Sequence, residues 1–363
     1  MTTELAPLDI ASLHHDYRVT FHHRLADAIE PLLDIAESVF IVDRNVAELH
    51  QDALAPLLTA RPTLLLDALE STKTLDGVES LIDWMLEQGC TRSSTVIGIG
   101  GGTIQDVITF TSHVYYRGVR FVLLPTTLLS MCDSCIGAKC GINHGSFKNQ
   151  LGVLHAPNDV HIATPFLDTL ADADIRSGYG EIIKLFLTEN STDIDWVIDT
   201  VDRQGLRGPD LLAMIRRSLE IKKVVIEEDE YEADLRRILN YGHTFGHALE
   251  ALTEHAVPHG LGVAWGIDLI NHLSVRRGFP VAELTQRLHD FIDRHLGFQL
   301  ESFPSAEELI NMTRRDKKVA AGQLNLVLLS GPGDLVIEPT PFGDDLLEGV
   351  RDFLESTSAV RRD

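Results

Sequence analysis

Thr95-Val96-Ile97-Gly98-Ile99-Gly100-Gly101-Gly102-Thr103 decides the fold of this 363-residue chain. Its first half is a short, largely apolar β-branched run, of the kind that lies buried on both faces of a parallel sheet. Its second half is a glycine turn leading into a helix that carries Asp106. Glycines there let the backbone approach a bound group and aim amide N–H groups at it, and the helix N-terminus adds positive potential. The turn suits a pyrophosphate. A tight strand-to-helix connection would read the same way, and the spacing is not the Gly-x-Gly-x-x-Gly of Rossmann folds.

Outward from this stretch the pattern repeats. Val39-Phe40-Ile41-Val42-Asp43, Thr63-Leu64-Leu65-Leu66, Phe121-Val122-Leu123-Leu124 and Val160-His161-Ile162 read as further buried strands. Leu75, Val78, Ile82, Met85 and Leu86 form a helical stripe between two of them. Such alternation predicts an α/β domain with a largely parallel sheet over residues 1–170. From Asp168 onward long helical periods take over until Leu324-Asn325-Leu326-Val327-Leu328-Leu329, so residues 171–363 read as a mainly α-helical second domain. The tail, Ser356 to Asp363, is expected to fray.

The chain carries 31 basic against 54 acidic residues. That balance argues against nucleic acid and against anionic membrane surfaces as partners. Any anionic ligand must be met by lysine, arginine and amide donors concentrated locally against the global field. The N-terminus shows neither a basic nor an apolar leader region, and no apolar run approaches membrane-spanning length, so a cytoplasmic location is expected. The cysteines are Cys90, Cys132, Cys135 and Cys140. Cys132-Asp133-Ser134-Cys135 is formally a redox or zinc pattern, yet it lacks a second cysteine pair, and small buried thiols are the simpler reading.

Asn240-Tyr241-Gly242-His243-Thr244-Phe245-Gly246-His247, with His259-Gly260 downstream, marks the second half. His243 and His247 share one helical face, and neutral imidazoles are good zinc ligands. Packed core histidines would give the same spacing. Three other features accompany the pair: the glycine turn, a Lys/Asn/Asp-rich segment from Asp133 to Asn149, and Gly180-Glu181-Ile182-Ile183-Lys184.

Taken in order, these pieces resemble the sugar phosphate cyclase superfamily, and the 3-dehydroquinate synthases most closely. The matching residues are Gly100-Gly101-Gly102 with Asp106, Tyr116-Arg117-Gly118, Pro125-Thr126-Thr127-Leu128-Leu129, Asp133 through Lys139, Lys148-Asn149, Glu181 with Lys184, Arg236 with Asn240, His243 with His247, and His259-Gly260. They run in order from Gly100 to Gly260, a little under half of the chain. No single piece is diagnostic; the ordered set is specific.

The resemblance implies an α/β NAD-binding domain followed by a mainly helical metal- and substrate-binding domain. NAD would lie against Asp43, Glu70, Lys73, Gly101, Gly102, Asp106, Thr126, Thr127, Phe166 and Thr169. A divalent metal, zinc or cobalt, would be held by Glu181, His243 and His259, leaving room for substrate oxygens. Lys139, Asn149, His247, Arg117 and Lys317 would clasp the substrate phosphate, with Arg117 supplied by the neighbouring subunit of a homodimer. Lys222 and Arg236 would bind a carboxylate, for which a guanidinium offers a two-pronged match. Asp133, Lys184 and Asn240 would orient ring hydroxyls, and with Lys139 and His247 they make up the expected catalytic group.

The implied activity converts 3-deoxy-D-arabino-heptulosonate 7-phosphate to 3-dehydroquinate, a phosphate-eliminating lyase reaction of the shikimate pathway to aromatic amino acids. Arg236 and Asn240 favour such a carboxylate substrate. Gln105, the His144–Asn149 segment, Gly180 and the short loop from Thr253 to Pro258 depart from the usual pattern and resemble instead the 2-epi-5-epi-valiolone, 2-epi-valiolone and 2-deoxy-scyllo-inosose synthases. A more distant alternative is a metal-dependent alcohol or glycerol dehydrogenase, which would not need the phosphate-holding set.

Overall fold

A computed structural model describes residues 5–145, 147–189, 192–314, 319–320 and 323–360. The chain divides into two compact units, one of residues 1–171 with 215–233 and the other of 172–214 with 234–363.

The first unit is built on strands β1 (Leu8–Ile10), β2 (Tyr17–His22), β3 (Ser38–Asp43), β4 (Thr63–Leu66), β5 (Thr95–Gly100), β6 (Arg120–Pro125), β7 (Lys139–His144), β8 (Phe147–Leu154) and β9 (Asp159–Ala163). Its helices are α1 (Leu25–Leu33), α2 (Arg44–Leu49), α3 (Gln51–Ala60), α4 (Leu75–Glu87) and α5 (Gly102–Val114). A seven-stranded sheet runs in the order β1-β2-β9-β6-β5-β3-β4. Only the β1–β2 pair is antiparallel. β5, every residue of which is buried, sits between β6 and β3, as its Val/Ile run requires. Gly100 ends β5 opposite Pro125, and Thr126 N donates to Gly100 O at 3.1 Å. The glycine turn and the Thr126-Thr127 turn thus leave the sheet side by side, at the carboxyl ends of neighbouring parallel strands.

The periodicity reading named no strand before Val39, so β1 and β2 are additions to it, and two further features differ. On α4 the buried residues are Val78, Leu81 and Met85, while Leu75 and Leu86 are exposed. The core stripe therefore follows three- and four-residue steps from Val78. β7 and β8 form an antiparallel hairpin that had no clear strand signal, because β8 is mostly exposed and its polar residues do not alternate.

The residues 215–233 include most of α8 (Leu211–Glu228). Glu227 accepts from Ala11 N at 2.6 Å, and Glu230 accepts from Ser12 Oγ at 2.7 Å and Leu13 N at 2.8 Å. These acidic side chains tie the segment to the β1–β2 loop.

The second unit holds α6 (Asp172–Leu187), α7 (Thr192–Gln204), α9 (His243–Leu252), α10 (His259–Arg276), α11 (Ala282–Phe291), α12 (Ala306–Thr313) and α13 (Asp344–Val360). β10 (Val319–Ala320), β11 (Gln323–Gly331) and β12 (Asp334–Pro341) make an antiparallel sheet. α10 is the central helix, buried from Gly260 to Asn271 and packed on α6 and α9. Of the tail expected to fray, residues 356–360 continue α13 to Val360 with Thr357 buried, while residues 361–363 lie outside the described residues. Among the described residues no helix is long and apolar enough to cross a membrane.

Candidate active site

In the second unit three helices bring five polar side chains together. Gly242 adopts φ 76°, a left-handed conformation that glycine takes without strain, and α9 starts at the next residue. His243 and His247 then stand one turn apart on one face. His259 opens α10, and Glu181 and Lys184 lie on the buried side of α6.

The approach of α6 to α10 is backbone to backbone. A Cβ on Gly180 would lie 1.9 Å from Gly260 O, and one on Gly260 would lie 1.7 Å from Ser177 O. Gly260 N donates to Ser177 Oγ at 3.0 Å. This contact sets Glu181 beside His259. Glu181 Oε1 is 3.0 Å from His259 Nε2 and 3.7 Å from His243 Nε2. Its other oxygen, Oε2, pairs with Lys184 Nζ at 2.5 Å. The imidazoles of His243, His247 and His259 form a triangle with centroid separations of 5.1, 5.4 and 5.5 Å. One ligand atom from each lies within 4.8 Å of the others.

This donor set fits a divalent cation. Both Nε2 atoms face the carboxylate, while both Nδ1 atoms are held from behind, His243 by Tyr241 O at 3.1 Å and His259 by Glu250 Oε1 at 3.0 Å. Fixing one ring nitrogen sets the tautomer and directs the other toward a cation. Burial alone would depress His259, but its bonds to Glu181 and Glu250 raise it to about 10. The pattern reading missed Glu250. Its signal is a third polar residue on the His243–His247 face, three positions further on, which by itself reads as an ordinary helix acid. Arg236 and Asn240 lie just upstream in a 3₁₀ turn, Leu235–Asn240, where Arg236 is buried and Asn240 Nδ2 donates to Arg237 O at 3.2 Å.

The first unit gathers its candidates into several groups. Gly101 starts α5 without any side-chain cap, and a Cβ on Gly102 would meet only Ser134 Oγ, at 4.0 Å. A helix N-terminus with no side-chain cap suits a pyrophosphate, so the turn fits a dinucleotide. Thr127 Oγ1 donates to Ser130 Oγ at 2.9 Å, and Thr126 is buried beside it. Lys73 Nζ pairs with Asp106 Oδ2 at 2.5 Å, while Asp106 Oδ1 accepts from Gly141 N at 3.0 Å. Burial pushes the Asp106 carboxyl up, against the pull of Lys73. Glu70 Oε1 accepts from Asn143 Nδ2 at 2.7 Å, and Asn143 Oδ1 accepts from Asn149 N at 2.9 Å. Glu70, Lys73, Asp106 and Asn149 therefore form one network across the β7–β8 hairpin.

Asp133, in a π turn at Ser130–Ser134, ion-pairs with Lys222, whose Nζ also bonds Asp133 O at 2.7 Å. Lys139 ion-pairs with Glu232. Phe166 and Thr169 both meet His50: the Phe166 ring is edge-on at 4.9 Å, and Thr169 Oγ1 is 2.7 Å from Nε2. Asp43 caps α2 through Asn45 N at 3.0 Å, and burial raises its carboxyl. Arg117 sits on an exposed turn after α5 with φ 64°, next to Tyr116 at φ 49°. Lys317 lies outside the described residues. No disulfide joins the four cysteines, and burial raises Cys135 and Cys140 to about 12, so neither is a thiolate near neutral pH.

Comparison with known proteins narrows the assignment. A family model described as 3-dehydroquinate synthase N-terminal matches residues 63–177, and its C-terminal counterpart matches residues 178–319. The 3-dehydroquinate synthase of Cereibacter sphaeroides is 35% identical over 375 residues, covering 99% of this chain and 100% of that one. The Acidithiobacillus ferrooxidans enzyme of the same name is 36% identical over 322 residues, covering 86% and 88%. Among solved structures, a 2-deoxy-scyllo-inosose synthase complexed with carbaglucose-6-phosphate, NAD+ and Co2+ superposes with a TM-score of 0.85 at 22% identity, over 96% of this chain and 100% of that one. The 2-epi-5-epi-valiolone synthase of Streptomyces hygroscopicus with NAD+ and Zn2+ bound gives 0.83 at 25% identity, over 98% and 100%. With the two family models matched in succession over residues 63–319 and a curated relative alike along its whole length, the chain belongs to the 3-dehydroquinate synthase family.

Proposed function

We propose that this protein converts 3-deoxy-D-arabino-heptulosonate 7-phosphate to 3-dehydroquinate and phosphate, in the cytoplasm and as a homodimer. The conversion needs oxidation of a secondary alcohol, loss of phosphate, reduction and an aldol closure. Bound NAD would accept and return the hydride, and a divalent cation such as zinc or cobalt would polarise the alcohol and the ketone derived from it.

The protein's own residues do the rest by position and charge. Glu181, His243 and His259 are the cation's ligands, and their convergence at 3.0 and 3.7 Å is the observation that carries the reading. Lys184, held on Glu181, presents an ammonium beside the cation and orients a ring hydroxyl. His247, exposed at the rim of the imidazole triangle, can exchange a proton with the departing phosphate. Lys139, Asn149, Arg117 and Lys317 are the remaining phosphate-holding groups. Arg236 is a buried guanidinium, which suits a carboxylate, and Lys222 is assigned to the same group. Asp133 balances the Lys222 charge, and it and Asn240 are assigned to orient ring hydroxyls. In the first unit the uncapped Gly101-Gly102 turn takes the pyrophosphate of NAD.

The test is phosphate release from 3-deoxy-D-arabino-heptulosonate 7-phosphate, with NAD+ and zinc or cobalt, while NADH absorbance is followed. Release without NADH accumulation, blocked by a chelator, is the expected result. Release only from sedoheptulose 7-phosphate or glucose 6-phosphate would overturn the carboxylate substrate and make the protein a sister cyclase. Net NADH from a simple alcohol would make it a dehydrogenase.

A further inference from the structure

Glu250 is a buried carboxylate that none of the assignments above uses. It lies one turn beyond His247 on α9 and is 9% exposed. Its Oε1 is 3.0 Å from His259 Nδ1. Across from it, a Cβ on Gly262 would come within 3.3 Å of both Cγ and Oε1 of Glu250. Gly262 therefore leaves a notch on α10 in which the carboxylate rests. His243 is held in the same manner by an uncharged partner, Tyr241 O. The two imidazoles thus differ in what stands behind them: a carbonyl for one, a carboxylate for the other.

We propose that Glu250 is a positioning residue for the metal centre, holding His259 with Nδ1–H toward the carboxylate and Nε2 toward Glu181, and supplying the site's second negative charge. The inference rests on the metal reading above. Two neutral imidazoles and one carboxylate leave a divalent cation with uncompensated charge, and the Lys184 ammonium on Glu181 adds to the excess. Uncompensated charge in a part-buried site is costly. Glu250 offsets it without occupying a coordination position, and a carboxylate behind an imidazole also makes the ring a stronger donor.

The experiment titrates Co2+ into the metal-free protein and follows the visible absorption of the bound ion, for the wild type, Glu250→Gln, Glu250→Ala and His259→Ala. Glu250→Gln keeps the shape and a hydrogen-bond acceptor but removes the charge. It is expected to bind Co2+ about 10–100-fold more weakly, with an unchanged circular dichroism spectrum. Glu250→Ala should bind more weakly still; if it does not fold, the glutamine variant decides. Wild-type affinity in Glu250→Gln, alongside lost binding in His259→Ala, overturns this inference and leaves the metal reading standing. Wild-type affinity in His259→Ala overturns the metal reading and this inference with it.

Discussion

His259 and Arg236 are the residues on which the proposed chemistry turns, for different reasons. His259 lies between two carboxylates, with Glu181 at 3.0 Å on one ring nitrogen and Glu250 at 3.0 Å on the other. Removing it takes away a proposed ligand and leaves both acids facing a gap. His259→Ala should abolish zinc- or cobalt-dependent phosphate release, as read by a phosphate assay on metal-loaded protein; full activity would remove His259 from the ligand set. Arg236 is only 4% exposed, and a buried guanidinium earns its place by matching a planar anion. Arg236→Lys keeps the charge and loses the fork. We expect kcat/KM on the carboxylate substrate to fall about 10–100-fold, the range of one charged hydrogen bond. An unchanged kcat/KM would assign Arg236 to structure alone. These residues were legible because their motifs keep a fixed local spacing. Glu250 was not, because its partner lies on another helix and only the α9–α10 packing joins them.

At the scale of elements, helix α10 is held to α6 by the absence of side chains at the crossing. Gly260→Ala would place a methyl group 1.7 Å from Ser177 O, a rigid backbone atom. The helices must separate, at a cost of about 1–3 kcal/mol, the usual range for overpacking. A lowered melting temperature together with weaker Co2+ binding is the expected signature; a stable variant that binds metal normally would show that the crossing is not strained. In the first unit the neighbouring strands β2 and β9 stack His22 on His161, with rings 5.3 Å apart. Burial, and then His22, lowers His161 from 6.5 to about 4. The unfolded chain therefore takes up this proton at a higher pH than the folded one. Stability conferred by neutral His161 is present above pH 6.5 and is lost as pH falls toward 4, by at most about 3 kcal/mol. Thermal melts across that window should show a fall that His161→Asn flattens; an identical slope in the variant would place the acid sensitivity elsewhere. The strands β3, β4, β5, β6 and β9 were readable from their short apolar runs, whereas β1, β2 and the β7–β8 hairpin, with its exposed and irregular face, were not.

At the scale of the whole molecule the formal charge of −23 sets a field that repels the anionic substrate and cofactor. Screening should relieve this, so thermal stability is expected to rise from low to moderate salt; a salt-independent melting temperature would show that the acids are already compensated locally. The proposed homodimer has its own test. Arg117→Ala should leave mass by light scattering unchanged while weakening phosphate-dependent KM, whereas loss of the dimer would make Arg117 an assembly residue instead. The order of the motifs along the chain carried the fold class, because a strand–glycine–helix alternation followed by long helical periods has few solutions. What it did not reveal is that residues 215–233 belong with the first unit, since an amphipathic helix shows that it packs but not upon what.

That return of the chain has a consequence for heredity. A single crossover between related genes cannot exchange one unit cleanly, because the backbone changes units after residues 171, 214 and 233. A recombinant joined at the first of these points would receive Asp133 from one parent and Lys222 from the other. Such a recombinant keeps this ion pair only if both parents carry compatible residues at Asp133 and Lys222, so the two halves are expected to diversify as one inheritance rather than as interchangeable modules.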